Sequence, residues 1–373
     1  MEIIKFLKAL SIFTGTIIGV GIFSLPYIAS QAGFFVVLGY FVFMTVVAVF
    51  LNVFYGRVVA GTEGHKYLPS LASQYLGQRW KIISLIILFL GTVGSLLAYL
   101  IVGGKFLNLF LSPTFGGNEL IWMLIFFVFG SLLIFRGSKS LAKIELFLLA
   151  TFFFILAFFF VKAVPVFDSN NFLTIDLKNF VLPYGVILFS LWGATFIPEL
   201  KEMVSSNTKM LNRVIVTGTI LSSIIYLFFI ITILGVSGNN TSEEAMAGFI
   251  SATGSNILKV GFLFAIINIF DSFICVGIVL KKILWKDFGL KRLLAWAITC
   301  FLPLSLFFFG GREYIFIIGI IGAFLIGIEG SIIVFVYRNF LKLTGKKVNP
   351  FIYSLCLVFL LGVIFETIYL ITK

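Results

Sequence analysis

Two short stretches of this chain interrupt an apolar run in the same way. The first reads Gly15-Thr-Ile-Ile-Gly19-Val-Gly21-Ile-Phe-Ser-Leu-Pro26, the second Phe189-Ser-Leu-Trp-Gly193-Ala-Thr-Phe-Ile-Pro198-Glu199. In each, a glycine is followed five residues later by a proline: Gly21/Pro26 and Gly193/Pro198. Glycine weakens a helix and proline removes a ladder hydrogen bond. A helix interrupted there frees N–H groups on one side and carbonyls on the other, which can hold a small polar ligand. A second set of reactive groups is acidic. Glu145, Asp271, Glu329 and Glu366 each lie inside a long apolar run, where an ionisable group is costly and usually functional. Other chemistry is sparse. His65 is the only histidine, and Cys275, Cys300 and Cys356 sit in apolar runs with no CxxC pairing. No zinc site, haem, disulfide framework or other cofactor is indicated. No nucleophile, base and metal converge, so an enzyme is not expected.

The elements that must position these groups can be read from composition. Of 373 residues, 61% are hydrophobic and only 11% charged, with a mean hydropathy of +1.16. Soluble chains carry about 45–50% apolar and about 25% charged residues. Lipid is therefore the solvent for most of this chain, which excludes a soluble enzyme and a nucleic-acid-binding domain. A membrane span needs roughly 20 mainly apolar residues. Eleven runs qualify: 9–30, 34–60, 81–109, 120–135, 142–164, 182–200, 214–236, 257–280, 293–309, 314–337 and 350–371. The net charge of +12 is a topology signal. With the N-terminus inside, 21 of the 27 Lys and Arg fall at inner ends; Lys105, Lys162, Lys178, Lys259, Arg312 and Lys373 are the outer ones. Basic residues favour the cytoplasmic side, so the N-terminus is expected inside and, after eleven spans, the C-terminus outside.

Spans one to five recur as spans six to ten at an offset of about 170–180 residues, a spacing expected of a duplicated transporter half. Five is odd, so the second copy enters the membrane from the opposite side. Repeat one covers about 1–164, repeat two about 181–337, and span eleven (350–371) is additional; the whole chain, 1–373, reads as one membrane domain. The two Gly-to-Pro motifs occupy corresponding positions. Discontinuous helices are expected at both, broken near Val20–Gly21 and Ser190–Ala194, lying side by side in antiparallel sense.

These residues resemble a known group. Gly-Thr-Ile-Ile-Gly-Val-Gly-Ile-Phe in span one is similar to the opening motif of the amino acid–polyamine–organocation superfamily. Phe189-Ser-x-x-Gly193-x-x-x-x-Pro198-Glu199 resembles the amino acid/auxin permease branch, including its aromatic amino acid permeases. Tyr75-Leu-Gly, Ala98-Tyr99-Leu-Ile-Val-Gly-Gly and Ser272-Phe-Ile-Cys-Val-Gly fit the same branch. Span six carries Trp192-Gly193-Ala194 where that branch has Gly-Gly-His. The resemblance implies an all-α integral membrane protein of the LeuT fold: a 5+5 inverted repeat with spans one and six broken, plus an eleventh helix. It implies secondary active transport of a neutral amino acid, aromatic and branched-chain ones being the candidates, across the cytoplasmic membrane. Its partners would be that amino acid and the lipid bilayer, with no nucleic acid; oligomeric state is not legible. The alternative is a nutrient receptor of the same fold, which would need a soluble extension or companion subunits.

A zwitterionic ligand needs both of its charges met away from bulk water. The half-helix after Gly21 directs free N–H groups and a positive dipole end to the midplane, so the backbone N–H groups of Val20, Gly21 and Ile22 are the expected carboxylate binders, with Gly19 beside them. Carbonyls freed before the first break and around Ser190–Gly193 would take the ammonium. Ser190, Trp192, Ala194 and, from span three, Tyr99 would select the side chain, although Trp192 equally suits packing or lipid. Asp271, mid-span beside Ser272, is the foremost acid. The resemblance places there a pair of hydroxyl residues that hold sodium together with the carbonyls of Gly15 and Ile18. A carboxylate in that position could bind Na⁺ or carry H⁺, or be a structural polar group satisfied by backbone. Glu145 could pair with Lys139 or Lys143 at the inner end of its span.

Overall fold

Because the apolar runs have little polar surface to turn toward water, nearly every one becomes a helix, the one form that pairs its own backbone groups in lipid. The computed structural model describes residues 2–64, 66–137, 141–204, 207–254 and 256–372, without the side chains of 141–150, 247, 256–260, 264, 369, 370 and 372. His65, Lys139, Lys373 and the side chains of Lys143, Glu145 and Lys259 thus lie outside the described residues. The elements are helical throughout: α1 (Glu2–Ile17), α2 (Gly21–Ala32), α3 (Phe34–Gly61), α4 (Leu68–Leu76), α5 (Gln78–Phe115), α6 (Glu119–Arg136), α7 (Leu141–Ala163), α8 (Pro183–Ser190), α9 (Ile197–Met203), α10 (Thr208–Ser237), α11 (Met246–Thr253), α12 (Asn256–Lys286), α13 (Arg292–Phe308), α14 (Tyr314–Ile320), α15 (Gly327–Leu343) and α16 (Ile352–Thr372). A π segment, Ile321–Ile326, joins α14 to α15.

Among the described residues, six helices are long and apolar enough to cross a membrane, seven if α1 and α2 are one bent span. Each remaining run expected to span also falls on helix. Three are shorter (within α7, and in α13 and α16), and the sixth is divided between α8 and α9.

Both breaks are present. The α1 and α2 axes meet at 52° across Ile18–Val20. Span six stops at Ser190, passes through Leu191–Gly193 and a 3-10 turn at Ala194–Phe196, and resumes at Ile197. The second break therefore runs a few residues past the expected Ser190–Ala194. Pro198 sits in the first turn of α9, where its missing N–H leaves no gap, whereas Pro26 lies inside α2. Packing sets their relation: α1 touches α9 and α2 touches α8, the antiparallel pairing of two broken helices. The duplication extends to the connectors. Short α4 comes after the second span of the first half, and short α11 after the second span of the second half.

Two close approaches fix the half-helices. Gly33, with φ of 101°, turns α2 into α3 against the loop that holds Thr174, where a side chain would strike the Thr174 carbonyl at 2.5 Å. On the α8 side, a Cβ on Gly185 would collide with the Gly319 carbonyl, and one on Gly322 with the Gly185 carbonyl. Small residues let helix backbones meet in lipid, so α8 rests directly on the α14–π segment.

Candidate functional site

At the first break the helical ladder runs out in order. Ile18 N–H still donates to Thr14 O at 2.9 Å, Gly19 N–H folds back to Ile17 O at 2.8 Å, and the next bonds are Ile22 N–H to Gly19 O at 3.4 Å and Phe23 N–H to Val20 O at 3.2 Å. That order leaves the N–H groups of Val20 and Gly21 outside the ladder, while Ile22, expected to be free, is engaged in a long turn bond. Glycine is needed here for space as well as flexibility. A Cβ on Gly19 would collide with the Tyr99 hydroxyl, and one on Gly21 with Ser190 Oγ. The Tyr99 hydroxyl, on α5, faces the Val20 N–H and the Ser272 side chain. Ser190 Oγ is turned to its own helix, donating to Val186 O at 2.7 Å.

One cavity joins the two breaks. It encloses about 720 Å³ including its mouth, and among its lining residues are Gly19, Gly21, Tyr99, Ser190, Trp192 and Gly193. Val20, Ile22 and Ala194 are at most 1% exposed and do not line it, so their side chains are core; the Val20 N–H, outside the ladder, is turned to the Tyr99 hydroxyl. The far wall comes from residues outside the expected binding set: Thr92 and Ser95 of α5, Val276 of α12, Ile321, Leu325 and Ile326 of the π segment, and Glu329 of α15.

Two side chains that sequence reasoning missed organise the break. Tyr226, fully buried on α10, places its hydroxyl 2.6 Å from Ile17 O and 3.0 Å from Ser190 O. The phenol's one proton is shared between the ends of α1 and α8, which it ties together. The signal was a single tyrosine amid the aliphatic residues of span seven. Asn268, on α12, donates from Nδ2 to Ile18 O at 3.0 Å. It lies one turn before Asp271 and Ser272, the spacing that puts side chains on one helix face. Asp271 Oδ1 and Ser272 Oγ are buried and have no hydrogen-bond partner of good geometry among the described residues. Gly15 sits further back on α1 with open space around its Cα.

On the side to which α1 and α9 belong, a polar network holds α9. Glu199 accepts from the Tyr67 hydroxyl at 2.5 Å and pairs with Lys282 of α12 at 2.9 Å. Lys201 Nζ donates to Thr62 O at 2.7 Å and Gly64 O at 3.1 Å, capping the end of α3. On the other side, Lys105 pairs with Glu244 at 2.9 Å.

Two antiparallel broken helices around a shared cavity, inside a repeated five-span half, define a multi-pass transporter of the LeuT fold. Solved structures of that kind resemble the chain. Mhp1, a nucleobase-cation-symport-1 family transporter in a closed conformation with bromovinylhydantoin bound, gives a TM-score of 0.69 at 14% identity over 93% of this chain and 80% of its own. MhsT in complex with L-phenylalanine gives 0.68 at 14% identity over 96% of each. Such identities establish fold alone. The chain belongs to the tryptophan/tyrosine permease family, which matches residues 3–369. A relative, tyrosine-specific transport system 1 of Haemophilus influenzae, is 25% identical over 280 residues, 71% of this chain and 69% of the relative. The family bears a different name from the amino acid/auxin branch that the motifs resemble. What the two readings share is a permease with aromatic amino acids in view.

Proposed function

We propose that this protein is a secondary active transporter that carries a neutral aromatic amino acid across the cytoplasmic membrane by alternating access, a relative of the amino acid/auxin branch. The observation that carries the reading is the shared cavity lined by both helix breaks together with Tyr99 and Trp192. The substrate carboxylate meets the N–H groups of Val20 and Gly21 beside Gly19, where the α2 dipole is positive, and Tyr99 adds a hydroxyl. The ammonium meets carbonyls at the ends of α1 and α8. Trp192, Ser190 and Gly193 bound the ring, with Ile22 and Ala194 supporting the backbone from the core. The N-terminus faces the cytoplasm, as the basic residues require.

Accumulation needs a coupling cation, and Asp271 with Ser272 is the place for it: a buried carboxylate oxygen and hydroxyl without partners of good geometry among the described residues, one helical turn from Asn268, which reaches the first break. Na⁺ would add the Gly15 and Ile18 carbonyls, and Asn268 would then have to release Ile18 O. H⁺ would need only Asp271. Purified protein in liposomes, given labelled aromatic, branched-chain and small neutral amino acids under separately imposed Na⁺ and pH gradients, tests the reading. Concentrative uptake of an aromatic amino acid under one gradient is the expected result, and the effective gradient names the ion. Binding without transport under either gradient would favour the nutrient-receptor reading instead.

A further inference from the structure

Glu329 has no role in the carboxylate, ammonium or ion contacts above, yet it faces the same cavity. It is 6% exposed, in the first turn of α15, directly after the π segment. A π turn inserts a residue into the helix and re-aims the side chains beyond it, and such turns are frequent at functional sites. Among the described residues, none lining the cavity is Lys, Arg or His, so Glu329 meets no described cation there. Its neighbour is the Trp192 indole N–H, which makes no hydrogen bond of good geometry. Its carboxyl group offers two oxygens, and one indole N–H can occupy only one of them. The other opens onto a wall bearing Thr16, Thr92, Ser95 and Thr195. In lipid so costly a group is normally functional.

Tryptophan and tyrosine, the amino acids in the family's name, share a feature that phenylalanine lacks: an aromatic ring carrying one hydrogen-bond donor. We infer that Glu329 accepts the phenol O–H or indole N–H of the substrate and thereby selects donor-bearing aromatic amino acids over phenylalanine. This rests on the transport reading of the cavity. A site built to bond a substrate donor rejects the analogue without it, because its own buried polar group is then left unpaired.

Direct binding of labelled L-tyrosine, L-tryptophan, L-phenylalanine and 4-fluoro-L-phenylalanine to the purified full chain tests it. The fluoro compound is close to tyrosine in size but has no donor. Wild type is expected to bind tyrosine and tryptophan about 10- to 100-fold more tightly than the other two. Glu329→Leu should bring all four to the phenylalanine level without weakening phenylalanine, and Glu329→Gln, which keeps an acceptor, should retain part of the gap. Equal wild-type affinity for tyrosine and 4-fluoro-L-phenylalanine overturns the inference without any variant. So does a Glu329→Leu protein that keeps the wild-type ratio or weakens all four alike, the result expected if Glu329 only braces Trp192. Wild type that binds none of the four refutes the transport reading itself.

Discussion

Replacing Tyr226 by Phe removes one oxygen from a fully buried ring and with it the only described side chain that bonds the ends of both broken helices. The two carbonyls are not equally exposed to the loss. Ile17 O keeps the Gly19 N–H at 2.8 Å, whereas no other described donor reaches Ser190 O. An unsatisfied buried acceptor costs about 1–3 kcal/mol. Ser190 also lines the cavity, and water there can restore part of the bond, which puts the expected cost at about 1–2 kcal/mol. If the hydroxyl aligns the two breaks before substrate arrives, that energy appears as a smaller binding-competent population, a roughly 5- to 30-fold loss of affinity. The control is Tyr184→Phe, which deletes a partly buried bond from α8, Tyr184 Oη to Val358 O at 3.0 Å, away from the break. Thermal unfolding in detergent and equilibrium binding of labelled tyrosine should separate the two. Tyr184→Phe should lose less stability, since Val358 O lies within α16, and only Tyr226→Phe should lose affinity. Equal affinity losses, or none in either, would refute the alignment argument.

Other substitutions probe the remaining contacts. Gly21→Leu should abolish tyrosine binding because its side chain meets Ser190, whose Cα would lie 3.2 Å from the new Cβ; normal binding in a folded variant would place the substrate elsewhere. Asp271→Asn should eliminate gradient-driven accumulation in liposomes while leaving exchange of labelled for unlabelled substrate, since the contacts on α1, α2 and α8 are untouched; full accumulation would make Asp271 structural. Gly322→Ala drives a methyl into the Gly185 carbonyl and should lower thermal stability by about 1–3 kcal/mol. Gly39→Ala, with nothing within 4 Å of its Cβ, should be neutral or stabilising by up to about 1 kcal/mol, and a loss there would mean that α3 packs differently. Lys201→Met leaves Thr62 O and Gly64 O without the Nζ donor and should destabilise by about 1–3 kcal/mol, measured by the same unfolding assay.

Composition alone determined that lipid is the solvent, because 11% charged residues cannot cover a water-facing surface. Local backbone chemistry determined where the two helices fail, since Gly and Pro act on their own turns, and so breaks near Val20–Gly21 and Ser190–Ala194 were legible as a pair. The duplicated spacing made their antiparallel partnership legible too. Facing was not legible. A water-soluble helix announces its buried side by polar residues on the other, but a helix such as α3 is apolar all round, so periodicity is silent about which residues point inward. Only tertiary packing decided that Ser190 fills the space at Gly21, that Ala194 and Ile22 belong to the core, and that Glu329 turns into the cavity after a π segment. The same holds for Tyr226 and Asn268, whose partners, Ile17 O and Ile18 O, are more than 200 residues away in the chain. Bonds of that reach depend on which faces of α10 and α12 dock against the break, and in this chain that choice is made by close packing rather than by any polar pattern along the sequence.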